Sequence, residues 1–197
     1  KQLSELMSVM GHRGTVFTSV HPERSPKEIK GVTIREFDMA GNAVDGMRGD
    51  VSSYVSALRD GRFDVTTFFA AQQWATDAAL PHLAELSAIK VFVPTGFSAL
   101  HDPRWAGYYE RMPGWMKSMD LNIFLSHGYQ DALFAKHNGV TNSILIPNGA
   151  AAEEFDGPPA HHVRSTLGIE PDRQLVVHIG SYTGIKGHRE AIAMFIM

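Results

Sequence analysis

The run Leu175-Val176-Val177-His178-Ile179-Gly180-Ser181-Tyr182-Thr183-Gly184-Ile185-Lys186-Gly187-His188 reads as one strand–turn–helix unit. Leu175 to Ile179 is a short apolar segment closed by glycine, the pattern of a buried strand. Gly180 and Gly184 free the turn, and Lys186 adds a cation. A helix is predicted from about Gly187, with Ile192, Phe195 and Ile196 on its buried face. A strand that delivers a loop and a helix N-terminus in this way offers backbone N–H groups and a lysine to an anion. Neither the Walker pattern nor G-x-G-x-x-G is present. Taken alone, the turn fits a phosphate cradle and an ordinary α/β connection equally well.

Upstream, strands and helices alternate. Residues 1–10 carry Leu3, Leu6, Met7 and Met10 at helical spacing. Strands are predicted at 15–20, 31–37, 63–69, 88–93, 121–125 and 143–146 from their β-branched and apolar runs. Asp50 or Ser52 caps a helix presenting Tyr54, Val55 and Leu58 and stopped by Gly61. Gly41 to Gly49 is predicted to be a loop. A helical region is interrupted or restarted near Pro81, and one at 108–119 is predicted to break at Pro113-Gly114. Residues 130–137 form a short helix with Leu133 and Phe134 inward. The alternation argues for an α/β fold with a mostly parallel sheet and helices on both faces. Gly157-Pro158-Pro159 interrupts the rhythm. The predicted division is a first domain at 1–150, a connector at 151–172, and the start of a second domain at 173–197. Both ends read as cut, so a longer parent protein is expected.

Composition narrows the function classes. The chain of 197 residues has a net charge of −3, which offers no global basic field for nucleic acid. It contains no cysteine, which excludes disulfides and thiolate metal sites and fits a reducing compartment. No apolar run of about eighteen residues is present.

A second motif gives the first its meaning. Ile144-Leu145-Ile146-Pro147-Asn148-Gly149, with Phe155 shortly after, precedes Gly180…Lys186-Gly187-His188. Together with Asp120-Leu121-Asn122-Ile123-Phe124-Leu125-Ser126, these motifs resemble the family 4 retaining glycosyltransferases, which have the GT-B fold of two Rossmann-like domains. The resemblance runs from about Gly61 to Met197 and is clearest from Asp120 onward. It implies a first, acceptor-binding Rossmann-like domain whose first strand lies ahead of Lys1, followed by a truncated donor-binding domain. It implies that the parent transfers a sugar from a nucleotide-sugar donor to a glycan or lipid-linked acceptor with retention. Lys186 matches the family lysine that contacts the donor diphosphate, with Gly180, Ser181 and Gly187 around it. Ser181 stands where the family has an arginine, and brings no charge. The family's histidine near the reacting sugar falls at Thr95-Gly96-Phe97; His101, followed by Asp102, is the catalytic candidate in the same loop, with Asp102 placed to fix its tautomer. The family's paired glutamates would lie beyond Met197, so the chain alone is expected to be inactive. No cofactor or metal is expected, the nucleotide-sugar being substrate, and the implied location is cytoplasmic, at the inner face of the membrane.

Other features weigh less. His161-His162 has no further ligands at metal-binding spacing. Trp105, Tyr108, Tyr109 and Trp115 with Arg104, Arg111 and Lys117 fit either a peripheral membrane surface or a core helix with a solvated face, and the core reading is preferred. Two alternatives to the transferase stand: a nucleotide-sugar epimerase of GT-B-like fold, and a non-catalytic acceptor- or partner-binding domain.

Overall fold

The computed structural model of the chain describes every residue except 25–26, 153–154, 159–160, 183–185 and 197, and describes 195 and 196 without their side chains. Pro26, Glu153-Glu154, Pro159, Gly184 and the predicted buried faces of Phe195 and Ile196 therefore lie outside the described residues. The chain forms two compact units, Lys1–Gly149 and Ala150–Met197.

The first unit holds the strands. In order it contains α1 (Gln2–Val9), β1 (Gly14–Ser19), β2 (Glu28–Ile29), β3 (Val32–Phe37), β4 (Met39–Asn42), β5 (Gly46–Gly49), α2 (Val51–Asp60), β6 (Val65–Phe69), α3 (Trp74–Ala79), β7 (Ile89–Val93), α4 (Ala106–Ser118), β8 (Leu121–Phe124), α5 (Gln130–His137) and β9 (Ser143–Leu145). Short 3₁₀ turns occupy Leu80–Glu85 and Pro103–Trp105. Strands β6-β7-β8-β9 form an all-parallel sheet in that order, with helices in the connections. Strand β1 pairs parallel to β3, and β2 adds antiparallel to the outer edge of β3. The architecture is α/β and Rossmann-like. Among the described residues the single sheet predicted from the sequence is instead three: β1-β3-β2, the β4–β5 pair, and β6-β7-β8-β9, which β1 does not join.

Parallel strands need cover, and aromatic side chains supply it on one face. Phe68 and Phe92 are directly paired across β6 and β7 and are almost fully buried. Phe17 on β1 meets Phe37, Tyr54 and Phe63 at ring-centroid distances of 5.0, 6.0 and 5.7 Å. Trp105, Tyr108 and Tyr109 are buried in the same core, so the aromatic stretch is interior rather than a membrane surface. No helix among the described residues is long and apolar enough to cross a membrane.

Three predictions about this unit fail, each for a physical reason. The stretch predicted as a loop, Gly41 to Gly49, is a β-hairpin of β4 and β5. Asn42 accepts from the N–H groups of Val44 and Asp45, and Gly46 supplies a φ of +103°. These are turn devices that a polar stretch hides. Helix α4 runs through Pro113 without a break. Met112 and Met116, on either side of the proline, are fully buried, and their packing outweighs the roughly 3 kcal/mol penalty of an interior proline. Asn122 and Asn142 donate to Met116 O at 2.9 and 3.2 Å, and Asn142 also to Met119 O at 2.7 Å, satisfying carbonyls that end the helix. In α5 Phe134 is inward as predicted, packed on Phe97 and Tyr109 at 5.3 and 5.9 Å, but Leu133 faces solvent, because the helix turns Asp131 and Ala135 to the core instead.

The second unit contains α6 (Val163–Thr166) and α7 (His188–Ile196). Arg164 donates to the carbonyls of Glu170 and Arg173 at 3.1 and 2.8 Å and gathers the loop between them. The predicted strand Leu175–Ile179 is unpaired, and no strand occurs among the described residues of this unit. Val176, Val177 and Ile179 are exposed, as is Ile192, which was predicted to be buried. An apolar run becomes a strand only when a neighbour accepts its hydrogen bonds, and none among the described residues does so here.

Phe92→Ala is expected to lower the stability of the first unit by about 3–5 kcal/mol, since the ring is fully enclosed. Val65→Ala, at a residue 51% exposed, is expected to change it by less than about 1 kcal/mol. Urea unfolding followed by far-UV circular dichroism measures both; equal losses at the two positions would contradict this core.

Candidate functional site

In open parallel sheets the loops beyond the carboxyl ends of the strands are where ligands bind. In the first unit these loops follow β6 and β7, and their backbone is unusual. Ala70, Gln72, Thr95 and Ala99 have φ of +69°, +61°, +62° and +54°, and Gly96 has +91°. Left-handed backbone in non-glycine residues is uncommon and marks places that their surroundings hold firmly.

Specific bonds hold them. Ala70 and Ala71 donate to Val93 O and Pro94 O at 2.9 and 3.1 Å, locking the two loops together. The Gln72 side chain bonds Ser98 twice, donating to its carbonyl and accepting from its N–H, both at 2.9 Å. Tyr109 donates to the same carbonyl at 2.6 Å. The Gly96 N–H donates to Asp131 Oδ2 at 2.8 Å, and the other oxygen of Asp131 accepts from Ala132 N–H.

Beneath the loops lies a buried carboxylate. Asp77 Oδ1 accepts from the Tyr108 hydroxyl at 2.8 Å, and Oδ2 accepts from the Ala43 N–H at 2.9 Å. The Tyr108 oxygen in turn accepts from the Gln72 N–H at 3.2 Å. Burial raises the Asp77 carboxyl above the ordinary aspartate range, against the lowering effect of its donors. Burial first, and then the charge of Asp77, raises the Tyr108 hydroxyl far above its ordinary value.

His101 lies at the exposed end of the loop after β7. Asp102 does not orient it. Its carboxylate instead caps the following 3₁₀ turn through Arg104 N–H at 2.9 Å and pairs with the Arg104 guanidinium at 2.8 Å. The Asp102 carboxyl is held below the ordinary range chiefly by that guanidinium. The catalytic pairing expected of His101 and Asp102 is therefore absent among the described residues.

The other candidates belong to the second unit. Gly180 lets the chain fold back closely: a Cβ there would sit 3.3 Å from Lys186 Cβ and 3.5 Å from His188 Cε1. Gly187 has a φ of +71° and leads into α7. Ser181 and Lys186 are exposed beside this turn. Gly180, Ser181, Lys186 and Gly187 thus share one loop. His188 adds a feature that the sequence did not signal. Its ring meets those of His178 and Tyr182 at 4.5 and 5.2 Å, and its Nδ1 is buried without a hydrogen-bond partner among the described residues.

Asp77 and Asp131 were also missed. An aspartate inside the alanine-rich run Thr76-Asp77-Ala78-Ala79 is the available signal for the first. Among the described residues no group of three or more acidic or histidine side chains is placed to hold a metal ion. No protein-family model matches the sequence, and no curated protein matches it significantly.

Asp77 gives a pH signature. Between the ordinary aspartate value of about 4 and its raised value, the folded chain keeps a proton that the unfolded chain has released. Stability therefore falls as pH rises through that window. Asp77→Asn is expected to remove this slope. Urea midpoints measured from about pH 4 to pH 7 test it; an unchanged slope in the variant would place the titration elsewhere.

Proposed function

We propose that the chain is part of a retaining glycosyltransferase, with residues 1–149 serving the acceptor and the loop from Gly180 to Gly187 serving the diphosphate of a nucleotide-sugar. The observation that carries this reading is the close turn at Gly180 ahead of α7, with the Lys186 side chain exposed beside it. Helix N–H groups and a lysine are the two kinds of donor that a diphosphate takes. The parallel α/β sheet of the first unit and its resemblance-bearing end, Ile146-Pro147-Asn148-Gly149, support the same assignment. Lys186 supplies point charge to the departing diphosphate, and Ser181 adds a hydroxyl donor without charge. The donor is substrate, and the reading requires no resident metal. Cytoplasmic location and contact with the inner membrane face belong to this reading through a lipid-linked acceptor.

A specific observation favours a second reading, a domain that binds acceptor or partner without transfer. Gly96 stands where the family has its histidine, and its φ of +91° is a conformation that a histidine would hold only with strain. His101 is exposed, and Ser181 in the second unit brings no charge, so each loop lacks the group that the family has there.

Calorimetric titration of the parent polypeptide with UDP-, GDP- and ADP-sugars separates the readings. Under the first, one of them binds, and Lys186→Ala weakens it by about tenfold or more, the loss expected for a hydrogen bond to a charged group. Binding unchanged by Lys186→Ala would remove Lys186 from the diphosphate site. No binding of any nucleotide-sugar, alongside retained binding of a glycan, would favour the second reading. The 197-residue chain alone is expected to show no turnover, which a radiolabelled-sugar assay checks.

A further inference from the structure

Strands joined one after the next by right-handed crossovers carry their connecting helices on a single face. The sheet β6-β7-β8-β9 follows that order. Phe68, Phe92, Asn122 and Phe124 point to the helix-covered face and are buried. The alternate residues point to the other face. There Val65 pairs with Ile89, Val91 with Leu121, and Ile123 with Ile144, so the surface is continuous across all four strands. Val65, Phe69, Ile89 and Ile144 on it are 51%, 54%, 54% and 45% exposed. It carries no charged side chain, and Thr67 is the one polar residue that these strands contribute to it. Parallel sheets are normally covered on both faces, so an open apolar face marks an association surface.

Helix α1 presents the opposite shape. Its polar side is turned inward. Glu5 accepts from the Lys30 ammonium at 2.9 Å, and Ser8 lies so close to Gly31 that a Cβ there would sit 2.5 Å from its hydroxyl. Its apolar side is turned out: Leu3, Leu6, Met7 and Met10, spaced as one helical stripe, are all exposed. Held this way, α1 offers a convex apolar ridge and leaves its own chain's sheet face bare.

We infer that a second copy of this chain covers both surfaces, with α1 of each copy laid across the open sheet face of the other about a two-fold axis. A helix on a sheet is the packing that closes α/β layers. The sizes agree. The eight residues of α1 span about 12 Å, and the five of β6 about 16 Å. The charges agree as well. Arg13, exposed just past α1, and Asp64, exposed just ahead of β6, make no ion pair among the described residues. Pairing α1 with α1 would bring the cations Lys1 and Arg13 against cations in either direction. Pairing sheet with sheet would leave both ridges in water. The reciprocal arrangement uses each surface once per copy, makes the contact twice and closes on itself. It rests on the first unit alone and is independent of the transferase reading.

Sedimentation equilibrium of the 197-residue chain tests it. A dimer with a dissociation constant of about micromolar order is expected. Leu6→Glu and Ile89→Glu, both at exposed positions, are each expected to raise that constant at least about tenfold with an unchanged far-UV circular dichroism spectrum. The two variants are then mixed. The Leu6→Glu chain keeps an intact sheet face and the Ile89→Glu chain an intact α1, so the mixture retains one of the two contacts and should associate more tightly than either variant with itself. A full effect of Leu6→Glu with none of Ile89→Glu would show α1 pairing with α1, and the reverse would show sheet pairing with sheet; either overturns the inference. So does association that grows past the dimer, since the contact would then not close. A chain that stays monomeric to about millimolar concentration also overturns it, whether or not it binds phosphatidylglycerol vesicles through Leu6, an outcome that would make a lipid surface the occupant of the ridge.

Discussion

The first unit depends on how one buried carboxylate is satisfied. Asp77 sits in the core at 3% exposure, where an unpaired charge could not remain. Its two oxygens take the N–H of Ala43 in the β4–β5 hairpin and the hydroxyl of Tyr108 in α4. Through the tyrosine oxygen the same network reaches Gln72. Hairpin, strand loop and helix are thereby fixed to one another by three hydrogen bonds. The penalty for leaving any member unsatisfied is what makes the arrangement specific. Gln72, so held, can keep its left-handed backbone and clasp Ser98 in the next loop.

Most of the element order was legible in the sequence because the physics is local. Apolar runs marked β6 through β9, and Asp50 caps α2 as its position implied, accepting from the Ser53 N–H at 2.9 Å. What escaped was decided by contacts distant in sequence. The hairpin from Met39 to Gly49 carries few β-formers, and at Gly49 the backbone of Asp38 comes so close that a Cβ would lie 1.9 Å from its carbonyl oxygen. Pro113 signalled a break that the buried methionines on either side override. Leu175 to Ile179 had the pattern of a strand but not the neighbours that make one.

The candidate sites divide along the same line. Gly180, Ser181, Lys186 and Gly187 were readable as a motif because their spacing is local, and they do share a loop. His101 was chosen for its loop and its neighbour Asp102, and the neighbour proved to be engaged with Arg104. Asp77 and Asp131 could not be found by motif. Each matters through what it binds, the Tyr108 hydroxyl for one and the Gly96 N–H for the other, and those partners come from other elements.

The geometry of the sheet connects these observations. From β6 the chain steps one strand at a time through β7 and β8 to β9, so the loops after β6 and β7 are neighbours at the carboxyl end of that sheet. In open parallel sheets that end is where ligands bind. The left-handed residues Ala70 and Gln72 lie directly after β6, and Thr95, Gly96 and Ala99 directly after β7. The bonds of Asp77, Asp131 and Tyr109 oppose their relaxation. Backbone strain held in place by buried polar groups at the carboxyl end of a parallel sheet is the arrangement in which functional sites store strain.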